Sequence, residues 1–393
     1  MRDFYIADYP KVHSNNLCHE ISTPDWAMGF IFNLDDRCTS NRPIDQPYYY
    51  YIYAYNNIFQ RISGLSDPMY TRLVLPPDIH QDVLQGKCKI ILDHCLEGFH
   101  VSEYNFDMLR AYLGEYYPHT ILVTGDWRQS TNTEITSLYS NYWERKTNHN
   151  FESDDVAALW IKEQSNRKPH TAKFKAICKN RLMRNHRIAL LKNIHDYDLV
   201  DKINYSFGIV TQHGNPDYEH RAFTGRVTKT AEEFKYNTEE LLAFVVRHGE
   251  KNLYGEKVNL SINHASTISD SLLNAHRESY FEIVVETNFN NNTVFHSEKT
   301  FKSISWMQPF VLCAERYSVQ ALRDFGYDVF DDIFDHSYDN VKDDAHRMKA
   351  LVEEIQRLCA ISDSEWNEML STIRQRLVAN VKNLNKAGER FVI

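Results

Sequence analysis

Residues 280–330 read YFEIVVETNFNNNTVFHSEKTFKSISWMQPFVLCAERYSVQALRDFGYDVF. Phe281, Ile283, Val284 and Val285 form a short β-branched run that ends at Glu286, the pattern of a buried strand. An Asn-rich loop follows over 288–293, then His296-Ser297-Glu298-Lys299 leading into Thr300 to Ile304. A second strand is expected over 309–312 and a helix over 319–325. Strand, helix, strand in this order gives a parallel α/β layer. Ligands of such sheets lie outside the carboxyl ends of the strands, and helix N-termini favour phosphate. The charged groups at 286 and 298–299 therefore mark a candidate site.

Working outward, residues 88–128 repeat the pattern. Cys88 to Cys95 reads as a buried strand stopping at Asp93-His94, with Glu97-Gly98 beyond. A helix is expected over 102–115, with Phe106, Leu109 and Leu113 on one face, and a strand over 120–124. Residues 4–6 and 28–32 read as further strands. The aromatic run Tyr48 to Tyr55 fits either a strand or the start of a helix continuing to Ile62. A short helix is expected over 154–162.

Between 167 and 192 an acidic chain turns locally basic. Arg167, Lys168, Lys173, Lys175, Lys179, Arg181, Arg184, Arg187 and Lys192 occur with no Asp or Glu among them. A strand over 174–178 and a helix over 184–194 follow from its apolar positions. This places a domain boundary near 160–170. Arg184 and Arg187, three apart at a helix start, suit a phosphate or simply a solvated basic face. Later elements are a strand over 207–211, then loops, a helix over 238–246, and a helical tail. In the tail, Ser362 and Glu365 form a capping box ahead of Trp366, Leu370, Ile373, Leu377 and Val381.

At 393 residues the chain is expected to form two domains. Net charge of −9 argues against a protein that coats nucleic acid through bulk charge, though not against a local basic groove. Seven Cys without a CxxC pair indicate reduced thiols. The start of the chain shows no signal-peptide core and no apolar run reaches membrane-spanning length, so a cytoplasmic protein with no membrane association is expected. No Walker A loop, G-x-G-x-x-G or G-x-S-x-G pattern occurs. With only 13 Gly, side chains and helix ends would hold any phosphate.

Asp93, His94 and Glu97 lie at the end of a strand, where any of them could take a proton from a substrate hydroxyl, or merely cap the next element. Asp196-Tyr197-Asp198 is a D-x-D sequence that could hold a divalent cation but reads as a turn after a helix. Glu286 and Glu298 can accept hydroxyl hydrogen bonds, and Lys299 can neutralise phosphate.

Taken together, Glu286, Ser297-Glu298-Lys299 and Pro309-Phe310 resemble the donor-binding motif of the α1,3-fucosyltransferase-like glycosyltransferases, in which a strand and Glu precede Thr-Glu-Lys, a helix and a Pro-led strand. Ser297 stands where that motif has Thr. The resemblance covers about residues 170–340. It implies a GT-B-like α/β fold: two Rossmann-like domains facing across a cleft, with a C-terminal helical tail. Residues 1–165 would bind the acceptor, 166–345 the donor, and 346–393 would pack back toward the first domain. It implies a UDP- or GDP-linked sugar as co-substrate, no metal and no further cofactor. Arg187 and Lys299 would face the diphosphate, with Arg184 beside them, Glu298 the ribose and Glu286 the sugar. Asp93, Glu97 or His94 would serve as general base. Similar sequences from large bacteriophages point to a hydroxymethylated pyrimidine in DNA as one acceptor, with Tyr48 to Tyr51, Trp127 and Trp143 as stacking rings. A glycan or surface polysaccharide is the alternative acceptor. A non-catalytic nucleotide- or nucleic-acid-binding protein of the same fold is the alternative function.

Overall fold

In the computed structural model, residues 3–5, 38–39, 46–53, 73–94, 103–128, 135–141, 144, 162–166, 168–180, 182–208, 216–249 and 270–386 are described. The expected strand over 28–32, the expected helix over 154–161, and Glu97, Trp143, Arg167 and Arg181 lie outside them. The chain divides into two compact units. The first is Met1–His149 with Thr293–Phe295 and Lys386–Ile393; the second is Asn150–Asn292 with His296–Asn385. The expected boundary near 160–170 thus falls earlier, between 149 and 150.

The first unit is built on a parallel sheet of β1 (Asp3–Tyr5), β2 (Cys38–Thr39), β3 (Tyr48–Tyr53), β4 (Cys88–His94), β5 (Thr120–Thr124) and β6 (Thr136–Tyr139), in the order β2-β1-β3-β4-β5-β6. Helix α1 (Pro77–Leu84) precedes β4, and α2 (Glu103–Leu113) joins β4 to β5. The aromatic run is a strand. Tyr48, Tyr50 and Ile52 alternate onto one face and share a core with Ile90, Leu92, Phe106 and Leu109. Their hydroxyl partners explain how so many tyrosines enter a core. Tyr48 donates to Asp82 at 2.7 Å and Tyr51 to Asp93 at 2.6 Å.

The second unit has β7 (Ala176–Asn180), α3 (Asn185–Asp196), β8 (Ile203–Phe207), α4 (Pro216–Phe234), α5 (Thr238–His248), α6 (Asp270–Arg277), β9 (Phe281–Val285), α7 (Glu298–Ser305), β10 (Phe310–Cys313), α8 (Ser318–Asp324), α9 (Asp344–Ala360) and α10 (Asp363–Asn385). Its sheet is parallel throughout, in the order β10-β9-β7-β8. Of the strand expected over 207–211, Phe207 is the last residue of β8 (Ile203–Phe207) and 209–211 lie outside the described residues. Register places β8: Ala176 pairs with Ile203 and Asn180 with Phe207, so the polar Asn204 and Ser206 belong to the buried ladder. Ser206 Oγ accepts from the Asn180 amide at 3.2 Å. Helix α4 occupies a stretch whose sequence reads as loops. Its buried stripe is Val227, Thr230, Ala231 and Phe234, at i, i+3, i+4 and i+7.

The capping box forms as its spacing predicts: Ser362 Oγ and Glu365 exchange hydrogen bonds of 2.6–3.3 Å. The two tail helices are integral to the second unit through Asn385, and Lys386–Ile393 group with the first. Apolar and ionic contacts hold the helices in the second unit. Trp366 stacks on Tyr280 and Phe281, with centroids 5.6 and 5.4 Å away. Arg376 binds Asp328 and Asp332 at 2.5–2.9 Å. Lys175 reaches Asp363 at 2.5 Å.

Among the described residues, no helix is long and apolar enough to cross a membrane.

Candidate functional site

The winding of the second sheet locates the site. From β7 the chain moves through α3 to β8 on one side; β9 and then β10 lie on the other. The order therefore reverses between β7 and β9, and their carboxyl ends diverge into separate loops, which opens a crevice. Right-handed crossovers leaving in opposite directions place α3 and α7 on opposite faces, with both N-termini at that edge. The chain's Arg184 and its Ser297-Glu298-Lys299 sit at these two helix starts.

At α3, Arg184 is the N-cap residue. It is extended (φ −137°, ψ 157°) and makes no side-chain cap, and the first turn holds no acidic residue. The N–H dipoles at a helix start favour an anion. A cleft of about 480 Å³ opens here, lined by Arg184, Asn185 and His186, by Ala222, Gly225, Arg226 and Lys229 of α4, and by the loop 287–291. Arg226 Nη1 donates to the Met183 carbonyl at 2.8 Å. Glu233 stands beside the cleft, 3.7 Å from Lys229 and accepting from Asn185 Nδ2 at 2.9 Å. A Cβ on Gly225 would meet nothing within 4 Å. Neither packing nor backbone geometry asks for glycine there, yet glycine inside a helix costs about 1 kcal/mol relative to Ala. Sequence reading missed Arg226 and Lys229, because their helix was read as loop. The spacing Ala222, Gly225, Arg226, Lys229 is the signal that could have found them.

Arg187 does not share this face. It is 3 % exposed and donates to the carbonyls of Leu182 (2.9 Å), Val285 (3.3 Å) and Glu286 (3.4 Å). It ties the carboxyl ends of β7 and β9 together. Burial, with Arg184 adding to it, lowers its pKa to about 10 against the opposing charge of Glu286. Here it braces the site and is not turned to a ligand. His186 Nε2 donates to the Glu286 carbonyl (3.0 Å), and the ring stacks on Phe289 at 5.5 Å. Burial, and then the Arg187 charge, hold its pKa well below the usual value, so the ring is neutral and its Nε2–H is the donor.

Glu286 is likewise internal. Its Oε1 accepts from the Ser297 amide (2.9 Å) and Thr300 Oγ1 (2.6 Å); its Oε2 accepts from Ser297 Oγ (2.5 Å) and the Thr287 amide (3.3 Å). The side chain is fully buried, so it shapes the start of α7 and presents neither oxygen to a sugar. A second rung runs from Ser303 Oγ to Glu282 at 2.6 Å, and Lys179 balances Glu282 at 2.9 Å. Thus Thr300 and Ser303, three apart on α7, bind two carboxylates four apart along the strand. Glu282, Thr300 and Ser303 also escaped the sequence reading; a Glu inside a buried β-branched run was their signal.

Ser297 caps α7, its Oγ accepting from the Lys299 amide at 3.4 Å and from Lys299 Nζ at 2.9 Å. Lys299 also binds Glu298 at 3.1 Å, and both side chains are about a quarter exposed. Burial alone would raise the Glu298 carboxyl, but the charge and hydrogen bond of Lys299, with Lys302 behind, hold it below its ordinary value. Glu298, its carboxyl held low, and Lys299 are therefore a partly accessible pair at a helix start.

Of the residues in the first unit, Asp93 is fully buried beneath Tyr51. His94 is the last residue of β4, and Glu97 lies outside the described residues. Asp196 closes α3 and pairs with Lys192, and Asp198 takes a left-handed turn conformation (φ 55°). No group of His, Cys, Asp and Glu among the described residues is arranged to hold a metal ion.

The structure thus brings Arg184 together with Arg226 and Lys229, and Glu286 with Ser297 and Lys299, while Arg187 links the two sets from behind. No protein-family model matches this chain, and no curated protein matches it significantly.

Proposed function

We propose that the chain is a nucleotide-sugar-dependent glycosyltransferase of the GT-B type, with the donor site in the second unit. The observation that supports this most is the coincidence of three features at the β7–β9 switch: an open anion cleft beside Arg184, a capped helix start carrying the Glu298–Lys299 pair, and a braced loop between them. A doubly wound sheet presents a nucleotide at this place.

Chemically, the bond from the sugar's anomeric carbon to the diphosphate oxygen breaks as the bond to the acceptor oxygen forms. The diphosphate leaves with the electron pair, and the acceptor proton passes to a base, for which His94 and Glu97 are the candidates, Asp93 being buried beneath Tyr51. Lys299 and Arg184 stabilise the charge that develops on the leaving oxygen, and Glu298 takes ribose hydroxyls. The acceptor is a hydroxyl of modified DNA or of a glycan.

Release of nucleoside diphosphate from a panel of UDP- and GDP-sugars, followed by chromatography, tests the reading. Turnover is expected, falling about 100-fold or more in Lys299→Ala. Absence of both turnover and thermal stabilisation across the panel would remove the transferase reading. Labelled sugar entering hydroxymethylated DNA, glycan or neither then decides the acceptor.

A further inference from the structure

We infer that the cleft between α3 and α4 is a recognition site for a phosphate group on a hydroxylated carrier, with Arg226 and Lys229 as its binding residues. It deepens the donor reading by giving that site a second cationic wall, but its test does not depend on sugar transfer.

Two elements contribute independently. From α3 come Arg184 and a first turn without an acid. From α4 comes a single face, Ala222, Gly225, Arg226 and Lys229, in which two small residues make room and two cations follow. Gly225 is the telling position: a Cβ there would point into open space, so the residue keeps the cleft open and does nothing for packing. Arg226 is oriented by its bond to the Met183 carbonyl, its one hydrogen bond among the described residues. Lys229 is 66 % exposed and only loosely held by Glu233 at 3.7 Å. Among the described residues, the lining carries three cations, Arg184, Arg226 and Lys229, and no carboxylate.

The remaining lining says what else the ligand carries. Asn185, Thr287 and Asn290 contribute amides and a hydroxyl to the lining, the partners of sugar hydroxyls. A nucleobase would need an open aromatic face. The lining's one phenyl ring, Phe289, is 1 % exposed, covered by His186 on one contact and by the Arg347 guanidinium at 4.2 Å. The cleft therefore reads phosphate and hydroxyls, and any base lies outside it.

Titration calorimetry of the full chain at fixed ionic strength, with inorganic pyrophosphate, glucose 1-phosphate, UDP, GDP and sulfate, tests this. Pyrophosphate is expected to bind at least 10-fold tighter than sulfate. Arg226→Gln and Lys229→Gln should each weaken it several-fold, and Gly225→Leu, which fills the cleft, at least 10-fold. Gly225→Ala should retain the fold, shown by an unchanged or raised Tm, and Lys349→Gln, an exposed cation on α9, should leave binding unaltered. Tighter binding of glucose 1-phosphate than of UDP or GDP assigns the cleft to a sugar phosphate; the reverse assigns it to a nucleoside diphosphate. Equal, weak binding of all probes, or pyrophosphate binding indifferent to Gly225→Leu in a folded protein, overturns the inference. Pyrophosphate binding without nucleotide-sugar turnover would keep this site and remove the transferase, whereas turnover untouched by the α4 variants would do the opposite.

Discussion

Replacing Glu286 separates its two candidate roles, sugar ligand and internal strut. The carboxylate is fully buried and accepts four hydrogen bonds, two to each oxygen. In Glu286→Gln, the amide oxygen can keep the Ser297 amide and Thr300 hydroxyl. The new NH2 then faces two donors. Ser297 Oγ, already accepting from Lys299 Nζ at 2.9 Å, must turn to accept again, and the Thr287 N–H is opposed outright. Loss of one charge-assisted bond of this kind costs about 2 kcal/mol. Glu286→Ala removes both acceptor oxygens and with them all four bonds, leaving the buried Ser297 amide and the part-buried Thr287 amide beside an empty space, a loss of about 4 kcal/mol, within the range for one partner removed from a buried charged network. With a urea dependence of about 2 kcal/mol per molar, the midpoint of the second unit should fall by about 1 M for Gln and about 2 M for Ala. Fluorescence of Trp306 and Trp366, both buried in that unit, reports the transition, and amide exchange in peptides spanning 281–305 localises it. If both variants unfold within about 0.5 kcal/mol of the parent, as an unconstrained side chain would, the strut argument fails and Glu286 returns to the list of ligand contacts.

Arg347→Met should lower the second unit's stability by about 3–5 kcal/mol in urea titration, because the 2 %-exposed guanidinium serves the Phe289 and Val341 carbonyls and Asp344 together; an unchanged midpoint would show that the loop 287–291 is held otherwise. Burial pushes the Lys302 ammonium down to about 8, with Glu298 opposing and Lys179 and Lys299 adding to the fall. Its folded pKa thus lies below the ordinary 10.5, the unfolded chain binds more protons between those values, and stability should rise with pH from about 8 to 10.5. Lys302→Met should flatten that slope in urea titrations across pH 8 to 10.5; a slope unchanged in the variant would contradict the burial argument.

Continuous apolar runs alternating with helical spacing were enough to read parallel α/β layers, because a short apolar run ending in a charged residue has few other ways to be buried. Cys88–His94, Thr120–Thr124, Phe281–Val285 and the helix starting at Glu298 follow from that pattern. The capping box at Ser362 is equally local: its partners lie within one turn. Composition could not decide whether Tyr48–Tyr53 is strand or helix, since its period depends on which neighbours cover it; pairing with β1 and β4 settled that. Nor could it place β8, whose polar Asn204 and Ser206 become strand residues only through their register with β7.

The candidate site divides the same way. Sequence alone determined which residues carry charge near strand ends and helix starts: Arg184, Arg187, Glu286, Glu298 and Lys299. Tertiary structure decided which of them face outward. Arg187 and Glu286 turn inward because the diverging ends of β7 and β9 leave carbonyls and amides that need partners, and a buried charge persists only where it meets them. Arg226 and Lys229 acquire meaning only because α4 lies beside the start of α3, about forty residues away in sequence. Residue type fixes what a side chain can bind; packing fixes whether the binding is spent inside the fold or left for a ligand.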